Sequence, residues 1–389
     1  MNLVEVLNPK QEKLFIQFAV QHYRNEPKWI RPLDKDIRFI FNKKKNKSYR
    51  NGGESIRWLL YNNDEIIGRI AAFYNPKLAG RDNEQPTGGV GFFECIDDQN
   101  AASMLFEVSK DWLKDKGMEA MDGPVNFGDR DAWWGLLVEG FNEEPNYRCN
   151  YNYPYYQPLF ENYGFQLYFR QLTYARKTAD PLSPKLHIKA EMISSDPGYS
   201  FAHFRKKQYK RFAQDFMNIY NQAWAGHVGV PKLTPAQAEL SMKLLLPIVD
   251  EKIIWFGYYK NEPVAFFIML PEVNQIFKYV RGKLDIMGKL IFLWHKWNKT
   301  CRKMIGVVFG VVPEHQGKGV EGAIIMAARK MVQDDYARYE DFEMNWIGDF
   351  NPKMIRVVEQ VGAHVSKVHN TYRYLFDRNV PFKRMPIKN

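Results

Sequence analysis

Short apolar runs interrupted by two- or three-residue polar turns alternate along this chain with stretches whose apolar residues recur every three or four positions. The clearest run is Trp58–Phe73, in which an apolar segment, the turn Asn62-Asn63-Asp64 and a second apolar segment predict a β-hairpin. Trp255–Leu270 repeats the pattern 197 positions later, placing Trp255 on Trp58, Tyr258 on Tyr61 and Glu262 on Glu65. Two further landmarks recur 198 positions apart: Phe160–Phe165 on Val358–Ala363, and Thr173-Tyr174 on Thr371-Tyr372. Near-constant spacing over three landmarks predicts two copies of one fold.

The second copy has the fuller set of signals. Phe204–Trp224 carries helical apolar spacing through Phe212, Phe216, Ile219 and Tyr220. Thr234-Pro235 predicts a capped helix running to about Leu246. The hairpin follows, then a basic insert, Lys278–Lys303, with Phe292, Trp294 and Trp297. A strand at Met304–Val312, a helix over Glu321–Gln333, a strand at Phe342–Ile347, a helix after Asn351-Pro352 and a last strand at His364–Phe376 complete it. Strands before and after helices predict an α/β protein with a mixed sheet. Lys177–Pro184 reads as an extended crossover, because prolines and short polar residues break both periodicities. The expected domains are residues 1–183 and 184–389.

Composition narrows the class. The 389 residues, 45% hydrophobic and 25% charged, exclude a disordered or collagen-like chain and fit two domains of ordinary size. The surplus of 55 basic over 44 acidic residues gives +11, which favours anionic partners: phosphate-bearing ligands, nucleic acid or anionic lipid. Cys95, Cys149 and Cys301 are odd in number and lack metal-ligand spacing, which points to a reducing compartment. No signal peptide is visible, and the apolar runs are far shorter than the roughly 20 residues that span a bilayer. The expected location is the cytoplasm.

The segment with the sharpest chemistry is Val311–Ala323, a strand-to-helix turn containing Gln316-Gly317-Lys318-Gly319-Val320-Glu321-Gly322. Glycines there expose backbone N–H groups at a helix N-terminus, which suits a pyrophosphate, and Lys318 adds a cation. The spacing also fits the dinucleotide pattern G-x-G-x-x-G, but too few residues follow for a doubly wound sheet. The turn resembles the acyl-CoA loop of the GNAT N-acyltransferase superfamily, matching at Gln316, Gly319 and the preceding strand. Glu321 stands where that family has Gly or Ala, and its carboxylate repels a diphosphate unless it turns outward. Downstream, Asn351 and Gly362 match the family's next helix and turn, whereas the position of the tyrosine that protonates the leaving thiolate is Val358. The equivalent loop of the first copy, Glu94–Ala102, has no glycine and carries Asp97 and Asp98. The whole chain resembles a bacterial tandem GNAT protein whose first domain lacks a CoA loop.

That resemblance implies an acyl-CoA-dependent N-acyltransferase that passes an acyl group, such as acetyl, to a small-molecule or peptide amine by direct attack. Acyl-CoA would lie along Phe309, Gly310 and Val311 and against Gln316, Gly317, Lys318, Gly319, Val320, Gly322 and Asn351. Two other readings stay open: a non-catalytic CoA-binding or scaffold protein, given Val358 and Glu321, and an aminoacyl-tRNA-dependent peptidyl transferase, given the tandem fold and the charge. Glu343, alternating with apolar neighbours on the penultimate strand, is the candidate general base, with a solvated strand face as the other reading. Tyr372 or Tyr374 is the candidate acid in place of Val358, with a packed strand residue as the other and favoured reading of each. The dense loop Gly123–Gly135 offers Asn126, Asp129, Asp131 and Trp134 as acceptor contacts, and a capped surface turn explains it as well. Asn150–Tyr156 reads as a stacking wall or a packed interface. Lys206, Lys207, Lys210 and Arg211 form a basic stripe, either a solvated face or a nucleic-acid surface. The aromatic insert Lys278–Lys303 could hold a long acyl chain or simply pack. No zinc or Ser-His-Asp spacing appears.

Overall fold

The computed structural model describes residues 1–387 apart from 81–83, 129, 224–231 and 337. Its strands are β1 (Asn2–Glu5), β2 (Glu54–Asn62), β3 (Glu65–Tyr74), β4 (Thr87–Cys95), β5 (Ala120–Gly123), β6 (Leu136–Glu139), β7 (Gln166–Lys177), β8 (Tyr199–His203), β9 (Ile254–Tyr259), β10 (Glu262–Pro271), β11 (Lys303–Val311), β12 (Asp341–Gly348) and β13 (His364–Leu375). The first-half helices are α1 (Pro9–His22), α2 (Asp34–Ile40), α3 (Lys47–Arg50), α4 (Pro76–Ala79), α5 (Gln99–Asp115) and α6 (Tyr156–Tyr163). The second half has α7 (Pro184–Ser195), α8 (Tyr209–Ala223), α9 (Pro235–Leu245), α10 (Asn274–Val280), α11 (Ile286–Trp297), α12 (Val320–Lys330) and α13 (Pro352–Gln360).

All the strands join one sheet in the order β1-β2-β3-β4-β5-β13-β7-β12-β11-β10-β9-β8, with β6 also on β13. The two hairpins expected from the repeat are β2–β3 and β9–β10. In each half one pair is parallel, β4 with β5 and β11 with β12, while the other pairings are antiparallel. Helices cover both faces, as a mixed sheet with apolar residues on both sides requires.

The last strands are exchanged. β7, which ends the first half of the sequence, pairs with β12 of the second, setting Tyr174 opposite Met344. β13, which ends the chain, pairs with β5 and β6 of the first half, setting Tyr372 opposite Gly123. The cores follow the exchange. Tyr372 and Tyr374 pack with Phe93, Phe106 and Phe160, while Tyr174 packs with Phe267, Phe342 and Val358. A cut between residues 183 and 184 would therefore leave each half without the strand that completes its sheet. The centre of the sheet is polar: Gln171 and Thr173 on β7 and Lys367, His369, Asn370, Thr371 and Arg373 on β13 are all buried.

Some boundaries move from the sequence reading. Phe204 lies outside the helix expected from 204 to 224. A 3-10 turn at Lys206–Gln208 precedes α8, and Trp224 falls outside the described residues. Phe204 still serves the same core, buried against Phe212. The basic insert folds as the end of α10 followed by α11.

Candidate functional site

The parallel pairing of β11 and β12 is short. It runs from Lys303 opposite Asp341 to Gly306 opposite Met344 and then stops, although both strands continue. The ladder with β10 shifts register between Ile268 and Met269, leaving Val307 as an extra residue in β11 at the point of parting. Bulges that re-aim a strand are common beside active sites. Beyond it Phe309, Gly310 and Val311 pair with β10 on one edge, so their other edge faces the notch between β11 and β12.

The glycine turn stands beside that notch. Gly319 has φ +107° and starts α12, and no side chain among the described residues caps it, so the first-turn N–H groups of Val320, Glu321 and Gly322 have no side-chain acceptor there. A Cβ on Gly319 would lie 2.9 Å from the Lys189 carbonyl oxygen of α7. The glycine therefore permits both the left-handed backbone and close helix packing. Gly317 has φ +74° with open space around it. The Gln316 amide donates to the Val311 carbonyl at 2.9 Å, fastening turn to strand, and Lys318 is exposed. Glu321 does not turn outward: its Oε1 accepts from the Gly317 N–H at 3.2 Å. Asn351 caps α13 by accepting from Met354 N–H at 3.2 Å. Val358 is fully buried among the apolar side chains of the second-half core.

The corresponding place in the first half is closed. The Val125 N–H bonds to the Val90 carbonyl at 2.7 Å, so the chain after β5 lies against β4. A Cβ on Gly91 would come within 1.9 Å of the Val125 carbonyl oxygen. Asp98 already caps α5, accepting from Ala101 N–H at 3.0 Å, so the chain itself satisfies that helix start.

Glu343 is not suited to the role of proton acceptor. Its Oε1 meets Lys303 Nζ at 2.6 Å, and its Oε2 meets Lys367 Nζ at 2.7 Å and Asn146 Nδ2 at 2.6 Å. Burial alone would raise its pKa, but the two ammonium groups outweigh burial and hold it below the usual carboxylate range. It is a fixed counter-anion tying β11, β12, β13 and the first half together. Tyr372 is displaced by the strand exchange. It lies in the first-half core, where its hydroxyl donates to Glu161 at 2.8 Å, and burial raises its pKa. Tyr174 takes the equivalent place in the second-half core, and Tyr374 sits beside Tyr163 in the first.

Around Glu343 the fold assembles residues that the sequence reading passed over. Asn146 Nδ2 also donates to Asn345 at 2.6 Å, and Asn345 Nδ2 reaches Cys149 Sγ at 3.7 Å. Glu272, at the end of β10, accepts at Oε1 from Tyr147 N–H at 3.0 Å and Asn274 N–H at 2.8 Å. Its Oε2 and Asn146 Oδ1 are buried without a hydrogen-bond partner among the described residues. Burial pushes the Glu272 carboxyl up to about 7, against the pull of those two N–H bonds. Burial likewise drives the Cys149 thiol up to about 12.

Of the acceptor candidates, Asp131 is exposed on the seam between the halves and lies near enough to bear on both Tyr220 of α8 and Cys149. Trp134 is half-buried, with the Arg130 guanidinium 5.7 Å from its ring and its Nε1 buried without a partner among the described residues. Asn126 is turned into its own loop, accepting from Phe127 N–H at 2.8 Å. Asp129 lies outside the described residues. The Asn150–Tyr156 segment is both packed and exposed to a cavity. Tyr153 stacks on Tyr155, while Tyr155 meets Tyr156 and Tyr153 meets His22 edge-on; the His22 Nε2 is 2.9 Å from the Tyr156 hydroxyl. Burial lowers His22 to about 4. A cavity of about 60 Å³ lies beside this cluster, walled by Arg69, Glu94, Trp133, Cys149, Tyr151 and Tyr156. Ile16, Arg31 and Asp34 are shared between this cavity and an outer hollow of about 500 Å³.

No protein-family model matches the chain. It is similar to a protein called bacterial ceramide synthase from Caulobacter vibrioides, at 25% identity over 96% of this chain and 97% of the relative. It is also 25% identical, over 94% of its length and 93% of the relative's, to the Escherichia coli protein YghO. Among solved structures, a tandem GNAT protein from the clavulanic acid biosynthesis pathway superposes with a TM-score of 0.52, covering 98% of this chain and 99% of that one at 9% identity. The GCN5-related glucosamine N-acetyltransferase region of a fungal multi-domain β-N-acetylglucosaminidase superposes at 0.55 with 9% identity, over 96% of this chain and 38% of that longer one. The chain has the GNAT fold twice in tandem, as its repeat and glycine turn led us to expect.

Proposed function

We propose that this protein is an acyl-CoA-dependent N-acyltransferase whose donor binds in the second half. The observation that carries the reading is the parting of β11 from β12 after Gly306 and Met344, beside the uncapped N-terminus of α12. An open strand edge at Phe309–Val311 suits the amide groups of a pantetheine arm, which can add to it as a further strand would. The N–H groups from Val320 to Gly322, with Lys318, suit the diphosphate. Glu321 opposes them, and its bond to Gly317 must open or swing aside when a diphosphate arrives.

In the reaction the neutral amine nitrogen attacks the thioester carbonyl carbon. The C–S bond breaks as the new C–N bond is kept, the thiolate leaves, and the proton lost by nitrogen passes to a base. Holding both substrates at one notch supplies much of the acceleration. We assign the base to Glu272 rather than Glu343, since a carboxyl titrating near 7 with one oxygen unpartnered can take a proton and a doubly ion-paired one cannot. Glu272 stands beside Lys303, three residues before the parting at Gly306, so this role requires the amine to enter from that end. With Val358 in the family's tyrosine position, the thiolate leaves unprotonated there, which a leaving-group pKa of about 8.5 permits.

The relative named for ceramide synthesis favours a long-chain amino alcohol as acceptor, because a ceramide is the amide of such a base with a fatty acid. The test is release of free CoA thiol from acetyl-CoA and from a long-chain acyl-CoA, each offered sphinganine, a short alkylamine and a lysine peptide. The reading expects acceptor-dependent release that is fastest with sphinganine. Release with the peptide alone moves the acceptor class, and no release with any amine overturns the catalytic reading in favour of CoA binding without transfer.

A further inference from the structure

The helix α11 has an apolar face that nothing among the described residues covers. Ile286, Met287, Leu290, Leu293, Trp294 and Trp297 are all more than half exposed, with Ile286 at 80% and Trp297 at 81%. At ~100° per residue these six positions fall within an arc of about 120°, so they form one stripe. The opposite face is anchored: Ile291 and Phe292 pack on Val273, Phe277, Val280 and Leu33. The helix is held firmly to the body with its apolar side outward, which a monomer with no partner for it would not retain.

The surroundings of the stripe specify the partner. Between Lys278 and Lys303 the chain has eight Lys or Arg residues and one acid, Asp285. That acid is spent as the helix cap, accepting from Gly288 N–H at 2.9 Å. Arg281, Lys283, Lys289 and Lys299 are exposed beside the apolar face. Two tryptophans close one end of the stripe. An apolar face edged by cations and tipped with Trp matches the boundary between headgroups and acyl chains. No described helix is long and apolar enough to cross a membrane, so α11 would lie in the surface. Lys283, Leu284 and Asp285, at its start, also wall the outer hollow together with Arg31 and Arg38.

We infer that α11 docks the protein on a bilayer surface bearing anionic phospholipid, with the exposed stripe inserted at the headgroup boundary and the mouth of the hollow turned towards the lipid. This inference does not depend on the acyl-transfer reading.

The experiment is co-sedimentation of the full chain with extruded vesicles of phosphatidylcholine alone or with about a third phosphatidylglycerol. The expected result is binding to the anionic vesicles that weakens with added salt. Leu293→Glu combined with Trp297→Glu should lower the partition at least about tenfold with the melting temperature unchanged, because both side chains are exposed. Lys289→Gln combined with Lys299→Gln should lower it about tenfold on anionic vesicles and leave the weak binding to neutral ones as it was. Absence of binding by the wild type, or equal binding by the glutamate variant, overturns the inference. So does a wild-type dimer that becomes a monomer in the glutamate variant without any vesicle binding, since the stripe is then a contact between copies.

Discussion

The Glu321 carboxylate accepts the Gly317 N–H at 3.2 Å, inside the turn proposed to hold the diphosphate. This contact gives α12 an acidic group in its first turn, which suits the helix dipole by roughly 0.3–1 kcal/mol. It also sets a negative charge against the proposed ligand. Glu321→Gln keeps an acceptor for Gly317 and removes the charge. CoA affinity should rise about three- to tenfold, with a small drop in melting temperature. Unchanged or weaker affinity, measured by calorimetric titration, would mean that the phosphates do not pass this turn.

The two flanking glycines should behave differently from each other. Gly319→Ala places a Cβ against the Lys189 carbonyl in a left-handed backbone, so it should destabilise the fold by about 1–3 kcal/mol. Gly317→Ala has open space around it and should carry only the backbone penalty of about 1–2 kcal/mol. Denaturant midpoints of the two variants compare them directly. An equal loss at both positions would contradict the packing of α12 on α7.

The strand exchange predicts that Tyr372 serves the first-half core and not the notch. Tyr372→Phe should change the acyl-transfer rate by less than about twofold, whereas Tyr372→Ala should cost about 3–5 kcal/mol of stability. Residues 1–183 and 184–389 expressed separately should each fail to give a cooperative unfolding transition, because each lacks the strand that completes its sheet. A stable, cooperative fragment on its own would contradict the exchange.

Glu272 gives a pH dependence of defined sign. Its folded pKa, about 7, is raised above the ordinary carboxylate value of about 4.3. The folded state therefore holds this proton more tightly than the unfolded state. That contribution to stability is complete below about pH 4 and is lost as pH rises through about 7. Glu272→Gln does not titrate, so its melting temperature relative to wild type should climb from pH 5 to pH 8. A flat difference would show that the carboxyl is not held protonated. Loss of acyl transfer in the same variant is expected if Glu272 is the base, as proposed.

The repeat, the two hairpins and the glycine turn were all legible in the sequence, because each depends on local pattern. The exchange of last strands was not. Thr173-Tyr174 and Thr371-Tyr372 are near copies, so β7 and β13 carry the same local signals whichever half they complete. That ambiguity misplaced Tyr372. The alternation around Glu343 correctly set it apart from the apolar face of β12, but a strand pattern does not reveal what lies opposite. Here Lys303, Lys367 and Asn146 converge on it from three other segments. Glu272 follows an apolar strand with no local signal to mark it; its carboxylate is held by the backbone N–H of Tyr147, 125 positions away. Val358 gave the clearest warning, since a valine at the family's tyrosine position is explained by its complete burial. Its replacement by tyrosine would overpack that core.

Titration calorimetry of the whole chain with CoA, for the wild type and for Lys318→Glu, tests the placement of the donor most directly. Lys318 is exposed, so its reversal should leave the melting temperature unchanged. The account predicts one CoA per chain and a loss of about tenfold or more in affinity for Lys318→Glu, as expected for removing a charged contact worth about 1.5–3 kcal/mol. Two sites per chain, or a Lys318→Glu variant that binds CoA as tightly as the wild type, would contradict it.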